Sequence, residues 1–212
     1  MQPDTTDATR LLRAAAFAAE KHRHQRRKDA EASPFINHPL AVATVLAEEG
    51  GVTDESLLIA ALLHDTVEDT ETTFEELEET FGAVVRTLVA EVTDDQSLRK
   101  RARKQLQVEH APGSSAAAKQ LKIADKICNV RDIATKPPAG WPEQRKAEYL
   151  DWTRRVVAGC RGVNPRLDAS CDAALAEARR VLGLDEEADR HDVIPVLVDE
   201  RRGDRDIAAA WH

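Results

Sequence analysis

The string His64-Asp65-Thr66-Val67-Glu68-Asp69 sets an imidazole and three carboxylates directly behind the apolar run Leu57-Leu58-Ile59-Ala60-Ala61-Leu62-Leu63. On a single helix Asp65, Glu68 and Asp69 share a face, and His64 stands four residues from Glu68. Carboxylates crowded at the end of a buried helix repel one another, and a divalent cation is the economical way to offset that repulsion. Acidic residues at a helix end are also commonly just solvated surface, so the string needs company. Phe35-Ile36-Asn37-His38-Pro39 puts a second histidine at the start of the preceding helix, and Lys122-Ile123-Ala124-Asp125-Lys126 puts an aspartate inside an otherwise apolar one. A buried aspartate is costly unless it is neutralised or coordinates a metal. The bland alternatives are a helix cap for His38 and a salt bridge to Lys122 or Lys126 for Asp125. His38, His64, Asp65 and Asp125 are therefore candidate ligands of one ion. A mixed nitrogen and oxygen set disfavours thiolate-seeking metals, and water on such an ion is acidic enough to supply hydroxide near neutral pH.

The elements that must position these residues read as helices throughout. Apolar spacing predicts a helix from about Asp7 to Gln25, followed by a basic loop and a turn near Ser33-Pro34. Pro39 suits the first position of a helix that stops at Gly50-Gly51. A further helix is expected over 55–69, apolar on all sides at its centre and so buried in a bundle. Thr73 followed by Glu76 reads as a capping box for a short helix ending at Gly82. Helices are expected over 83–92, 98–110, 114–135, 142–160 and 165–182, with Pro142 and Pro165 opening the last two and Gly183 closing the chain of helices. There is no strand-like alternation before residue 190, although the β-branched stretch Val193 to Val198 suits a short strand or an extended tail. The expectation is an all-α bundle of about eight to ten helices over 1–183, with 184–212 as a densely charged appendage.

Composition narrows the function. The 212 residues are 42% hydrophobic, 32% charged and only 4% aromatic, and the formal net charge is −8. That charge argues against a general nucleic-acid binder, and an anionic small substrate requires a local basic patch. Arg27 and Lys28, and the cluster Arg99, Lys100, Arg101, Arg103 and Lys104, are candidates, although a basic run is usually a solvated face. Three cysteines with no CxxC pair make a disulfide framework or Cys-rich zinc site unexpected and suit a reducing cytoplasm. The polar N-terminus lacks a signal core, and no apolar run approaches the ~20 residues that cross a bilayer. The expectation is a cytoplasmic protein with no membrane partner.

The order His38, His64-Asp65, Asp125 resembles the H…HD…D signature of HD-domain phosphohydrolases. The strings HQRRKD at 24–29, FINHP at 35–39, AALLHDTVEDT at 60–70, EVTDD at 91–95 and KIADK at 122–126 resemble the hydrolase domain of the RelA/SpoT family, and within it the stand-alone metazoan and small bacterial alarmone hydrolases. The resemblance spans roughly residues 8–182. HD alone is a weak motif, whereas HDTVEDT together with the RRKD loop is specific. The resemblance implies an HD-domain helical bundle, manganese on His38, His64, Asp65 and Asp125, and hydrolysis of the 3′-pyrophosphate of (p)ppGpp to GDP or GTP and pyrophosphate. It implies that Glu68 and Asp69 activate and position the attacking water, and that Lys100, Asn129, Arg145 and Tyr149 lie on the substrate side, with Trp141 beside them; Arg27 and Lys28, just before the His38 helix, are the first candidates to neutralise the pyrophosphate. Metazoan members are also associated with removal of the 2′-phosphate of NADPH, which shares a phosphate on a ribose secondary hydroxyl. Phe35 departs from the usual tyrosine: the ring survives and a hydroxyl hydrogen bond is lost.

Two alternatives to (p)ppGpp hydrolysis stay open at this point. One is a sibling activity, an NADPH 2′-phosphatase or another nucleotide phosphohydrolase. The other is a catalytically silent nucleotide-binding regulator, against which the intact Glu68 and Asp69 speak. The length leaves no room for a synthetase domain beside the hydrolase, so a bifunctional enzyme is not expected.

Overall fold

The computed structural model describes residues 7–184. They form α1 (Asp7–Lys21), α2 (Asn37–Thr44), α3 (Glu55–Leu63), α4 (Thr66–Asp69), α5 (Phe74–Phe81), α6 (Ala83–Val92), α7 (Lys100–His110), α8 (Ala116–Thr135), α9 (Glu143–Ala158) and α10 (Pro165–Val181). Among the described residues the only β-type pairing is an isolated antiparallel bridge between Arg26 and Pro34. The architecture is all-α, as expected. The β-branched stretch at 193–198 and nearly all of the charged appendage lie outside the described residues.

Two helices make the centre. In α3, Leu57, Ile59, Ala60, Ala61, Leu62 and Leu63 are all buried, and the helix rests against α1, α2, α6 and α8. In α8 the stripe Leu121, Ile123, Ala124, Ile127, Val130 and Ile133 is buried, and that helix meets α2, α3, α6, α9 and α10. Each large apolar side chain buried there contributes about 1.5–3 kcal/mol relative to exposure. The polar helix α7 packs on α9 at one side.

Side-chain caps set several boundaries. Asp54 accepts from the Leu57 amide at 3.1 Å to open α3, and Ser115 accepts from Ala118 at 3.1 Å to open α8. Asn164 accepts from Arg166 and Leu167 at 3.1 and 3.3 Å to open α10, whose first residue is Pro165. Thr73 caps α5 by accepting from Glu76 at 3.2 Å, while the Glu76 carboxylate pairs with Lys21 Nζ at 2.8 and 2.9 Å. The residues proposed as a capping box thus also tie α5 to α1.

Four expectations need correction. The first helix ends at Lys21, because the chain turns at His22 and closes back on itself. Arg27 N–H donates to Ser33 O at 2.8 Å, and the Asp29 carboxylate accepts from the Glu31 and Ser33 amides at 3.0 and 3.1 Å. Pro39 is the third residue of α2 rather than the first, and α2 ends in a π turn over Val45–Glu49, with Gly51 at φ 67°. Pro142 precedes α9 as its cap instead of opening it. The stretch 55–69 is two helices broken at His64-Asp65. There the Thr66 hydroxyl donates back to Leu63 O at 2.7 Å and Asp65 sits at φ −93°, ψ −6°, in the sparsely used bridge region.

Ile127 is wholly buried in α8, so Ile127→Ala is expected to lower unfolding free energy by about 2–5 kcal/mol in chemical denaturation. Asn164 also donates from Nδ2 to Gly50 O at 3.0 Å and Gln120 Oε1 at 2.9 Å. Asn164→Ala is expected to cost at least the ~0.5–2 kcal/mol of a lost N-cap, read as a shift in the denaturation midpoint.

Candidate active site

The break at the end of α3 is what aims the chemistry. His64 turns its Nδ1 onto Ala61 O at 2.8 Å, which leaves Nε2 facing inward. From there His64 Nε2 stands 3.1 Å from Asp65 Oδ1 and 4.0 Å from Asp125 Oδ1. His38, on the first turn of α2, brings its Nε2 to 3.1 Å from Asp125 Oδ1 and 3.6 Å from Asp65 Oδ2. The two imidazole centroids are 5.3 Å apart. Potential ligand atoms of His38, His64 and Asp65 lie within 4.8 Å of one another. The structure thus brings together the four residues singled out from three distant parts of the sequence. His38 is the second residue of α2 and not its cap; Asp125 meets both an imidazole and, at 2.9 Å, Lys126 Nζ.

These groups fit a bound cation. His64 Nε2 and Asp65 Oδ2 are buried with no hydrogen-bond partner among the described residues, a costly condition for polar atoms unless something else engages them. Burial and the nearby Arg27 keep His38 below the ordinary imidazole range even though Asp125 pulls it upward, so it is neutral with a lone pair to offer. Burial pushes Asp125 up, but Lys126 and His38 outweigh it and hold the carboxyl well below the usual range. Two imidazoles and two carboxylates form a hard, mixed donor set that suits Mn²⁺, Mg²⁺ or a related divalent ion.

A second layer holds this cluster still. Asn129, one turn after Asp125, donates to Asp125 Oδ1 at 2.6 Å. Arg27 donates to Asn129 Oδ1 at 3.3 Å and pairs with Asp132 at 2.5 Å. Gln25 donates to Asp69 O, so the loop 22–36 is fastened to both α4 and α8. Phe35 is buried, its ring 4.7 Å from that of His22 and 5.8 Å from the Arg27 guanidinium. The ring that replaces tyrosine therefore packs beneath Arg27 and His22 rather than standing open.

Glu68 and Asp69 follow on α4. The sequence reading placed Asp65 and Glu68 on one face; the break at 64–65 separates them. Asp65 turns to the imidazoles, while Glu68 accepts from the Asp94 amide at 3.4 Å and from the Gln96 side chain. Gln96 in turn accepts from Arg103.

One cleft, enclosing about 700 Å³ of space including its open mouth, joins these parts: His64, Asp65, Glu68 and Asp125 lie on its lining together with Lys100, Asn129 and Tyr149. Arg145 stacks on Trp141 at 4.2 Å and, with Lys28, lies close enough to Lys100 to help lower its pKa. Tyr149 is buried, which raises its phenol to about 12. Arg27 lies on a neighbouring cavity behind His38, engaged with Asn129 and Asp132. Sequence reasoning undervalued Lys104, Lys122, Lys126 and Trp152, all on the cleft wall. The signal was available in the spacing: Lys100 and Lys104 are four apart on α7, as are Lys122 and Lys126 on α8. Cys128, Cys160 and Cys171 are free and buried, in keeping with packing roles.

Comparison with known proteins agrees with this geometry. The chain is 57% identical to the guanosine-3′,5′-bis(diphosphate) 3′-pyrophosphohydrolase MESH1 of Xenopus tropicalis, over 79% of this chain and 94% of that one. It is 56% identical to the protein of the same name from Homo sapiens, over 77% and 91%. A solved structure described as a metazoan ortholog of SpoT that hydrolyses ppGpp superposes with a TM-score of 0.76 at 46% identity, covering 83% of this chain and 97% of that one. Residues 14–151, well over half the sequence and carrying all four converging side chains, match the HD domain family, and the chain belongs to it.

Proposed function

We propose that this chain is a manganese-dependent guanosine-3′,5′-bis(diphosphate) 3′-pyrophosphohydrolase, acting on ppGpp and pppGpp in the cytoplasm. The observation that carries the reading is the convergence of His38, His64, Asp65 and Asp125 on one buried point that opens into a lysine-lined cleft. The names of relatives at 56–57% identity support the substrate, and three buried free thiols suit a reducing compartment.

In this reading His38 and His64, through Nε2, and Asp65 and Asp125 hold the ion. When bound, it polarises a phosphoryl oxygen and acidifies a water. Glu68, beside the cluster, takes the proton from the attacking water. The Asp94 amide and Gln96 steer that carboxylate. Asp69, on the same turn and fastened through its backbone to Gln25, helps orient the water. The water oxygen bonds to the phosphorus nearest the ribose, the P–O3′ bond breaks, and its electron pair stays on O3′, which acquires a proton. The products are GDP or GTP and pyrophosphate. Asn129 orients Asp125 and reaches the ribose side. Lys28, Lys100, Arg145 and Tyr149 serve the remaining phosphates and sugar, and Arg27, braced by Asp132 and Phe35, steadies Asn129 from the neighbouring cavity.

Asp65→Ala and Asp125→Ala are each expected to lose bound manganese, measured by elemental analysis, together with turnover. Wild-type metal content in either variant contradicts the ligand assignment. Glu68→Ala is expected to keep its metal while kcat falls by roughly 10²–10⁴; turnover at the wild-type rate removes Glu68 from water activation. The function itself is tested by incubating the Mn²⁺-loaded protein with ppGpp, pppGpp and NADPH and resolving products. Pyrophosphate release from the guanosine nucleotides is the expected result. Phosphate release from NADPH alone, or binding without any turnover, contradicts it.

A further inference from the structure

Three lysines on the cleft wall, Lys100 and Lys104 from α7 and Lys122 from α8, have no hydrogen-bond or ion-pair acceptor for their ammonium groups among the described residues. Lys126, next to them, does have one: its Nζ meets Asp125 at 2.9 Å. Lys104 is the most confined. Its Nζ stands 4.6 Å from the Trp152 ring centroid and 5.2 Å from that of Tyr149. The Trp152 indole donates to Lys104 O at 3.0 Å, fixing this part of α7 to α9. Ring faces stabilise a cation without using up its directional N–H bonds, so the ammonium is held in place while its donors remain available.

Such crowding of like charge is a strained condition. Burial, and then Lys100, Lys126 and Arg145, bring Lys104 down to about 8. Burial, Arg145 and Lys28 do the same to Lys100. An anion entering the cleft relieves this and gains charge-assisted hydrogen bonds. Lys100 and Lys104 are one helical turn apart, about 5–6 Å between Cβ atoms, a spacing that spans two linked phosphoryl groups better than one. The same wall carries Asp65, Glu68 and Asp125, which puts the seat next to the reacting phosphorus.

We propose that Lys104, flanked by Lys100 and Lys122, forms a seat for a diphosphate group: the 3′-diphosphate of the bound nucleotide and then the pyrophosphate that leaves. This inference rests on reading the cleft as a nucleotide 3′-pyrophosphohydrolase site. It gives Lys104 a direct role in gripping the diphosphate group that is transferred to water, separate from the contacts that hold the rest of the nucleotide.

Calorimetric titration of the metal-loaded full chain tests it, with inorganic pyrophosphate in one arm and GDP, a 5′-diphosphate, in the other. Lys104→Met keeps the apolar stem between the rings and removes the charge. Lys104→Gln is the second variant, and a melting curve establishes that each is folded. Either folded variant is expected to bind pyrophosphate at least tenfold more weakly than wild type and GDP within threefold. Unchanged pyrophosphate affinity in a folded variant overturns the seat, as does weakened GDP binding with pyrophosphate unaffected. Lysine-dependent pyrophosphate binding by a wild-type protein that leaves ppGpp intact upholds the seat and removes the proposed activity. Hydrolysis of ppGpp with pyrophosphate binding indifferent to Lys104 does the reverse.

Discussion

Two carboxylates and two imidazoles packed at the junction of α3, α2 and α8 are the arrangement to which the rest of this molecule answers. Charge in such a place is tolerable only when it is matched, because an unpaired buried ion costs several kcal/mol even after relaxation. The protein supplies part of the match itself through Lys126 and the His38 contact. His64 Nε2 and Asp65 Oδ2 are left without a hydrogen-bond partner among the described residues, and a divalent ion is the group whose charge and ligand preference fit what remains. The apolar packing of α3 against α8 decides where the two halves of the cluster meet. The break after Leu63 decides which way His64 and Asp65 face.

Around that point the polar contacts are arranged outward in order. Asn129 and Lys126 fix Asp125, Arg27 fixes Asn129, and Asp132 fixes Arg27. The loop 22–36 is held at both ends of this chain of contacts, so the basic loop is part of the site's frame as well as its rim. On the other flank Arg103, Gln96 and Glu68 form a second line of donors and acceptors. Rigid support of this kind is what lets a general base hold its geometry through turnover. The lysines of α7 and α8 then give an acidic protein the local positive field that a polyanionic substrate requires.

Much of this was legible in the residues. The Leu57–Leu63 run announces a central helix, and Thr73 and Pro165 mark the starts of α5 and α10 by chemistry that is local. The convergence of His38, His64, Asp65 and Asp125 was legible because histidine and aspartate in apolar surroundings demand an explanation, and the H…HD…D order supplies one. What escaped the sequence was set by tertiary contacts. The break at His64-Asp65 depends on side chains folding back to Ala61 O and Leu63 O, which no periodicity records. The same is true of Glu76 reaching Lys21 and of Arg27 being committed to α8. Lys104 reads as ordinary solvated charge until α9 brings Trp152 and Tyr149 against it.

The most direct measurement is anomalous diffraction at the manganese edge from crystals of the protein grown with Mn²⁺. A single strong peak bonded to His38, His64, Asp65 and Asp125 is the predicted result. A peak elsewhere, or density at that point explained by Lys126 and water with the two imidazoles turned apart, contradicts it.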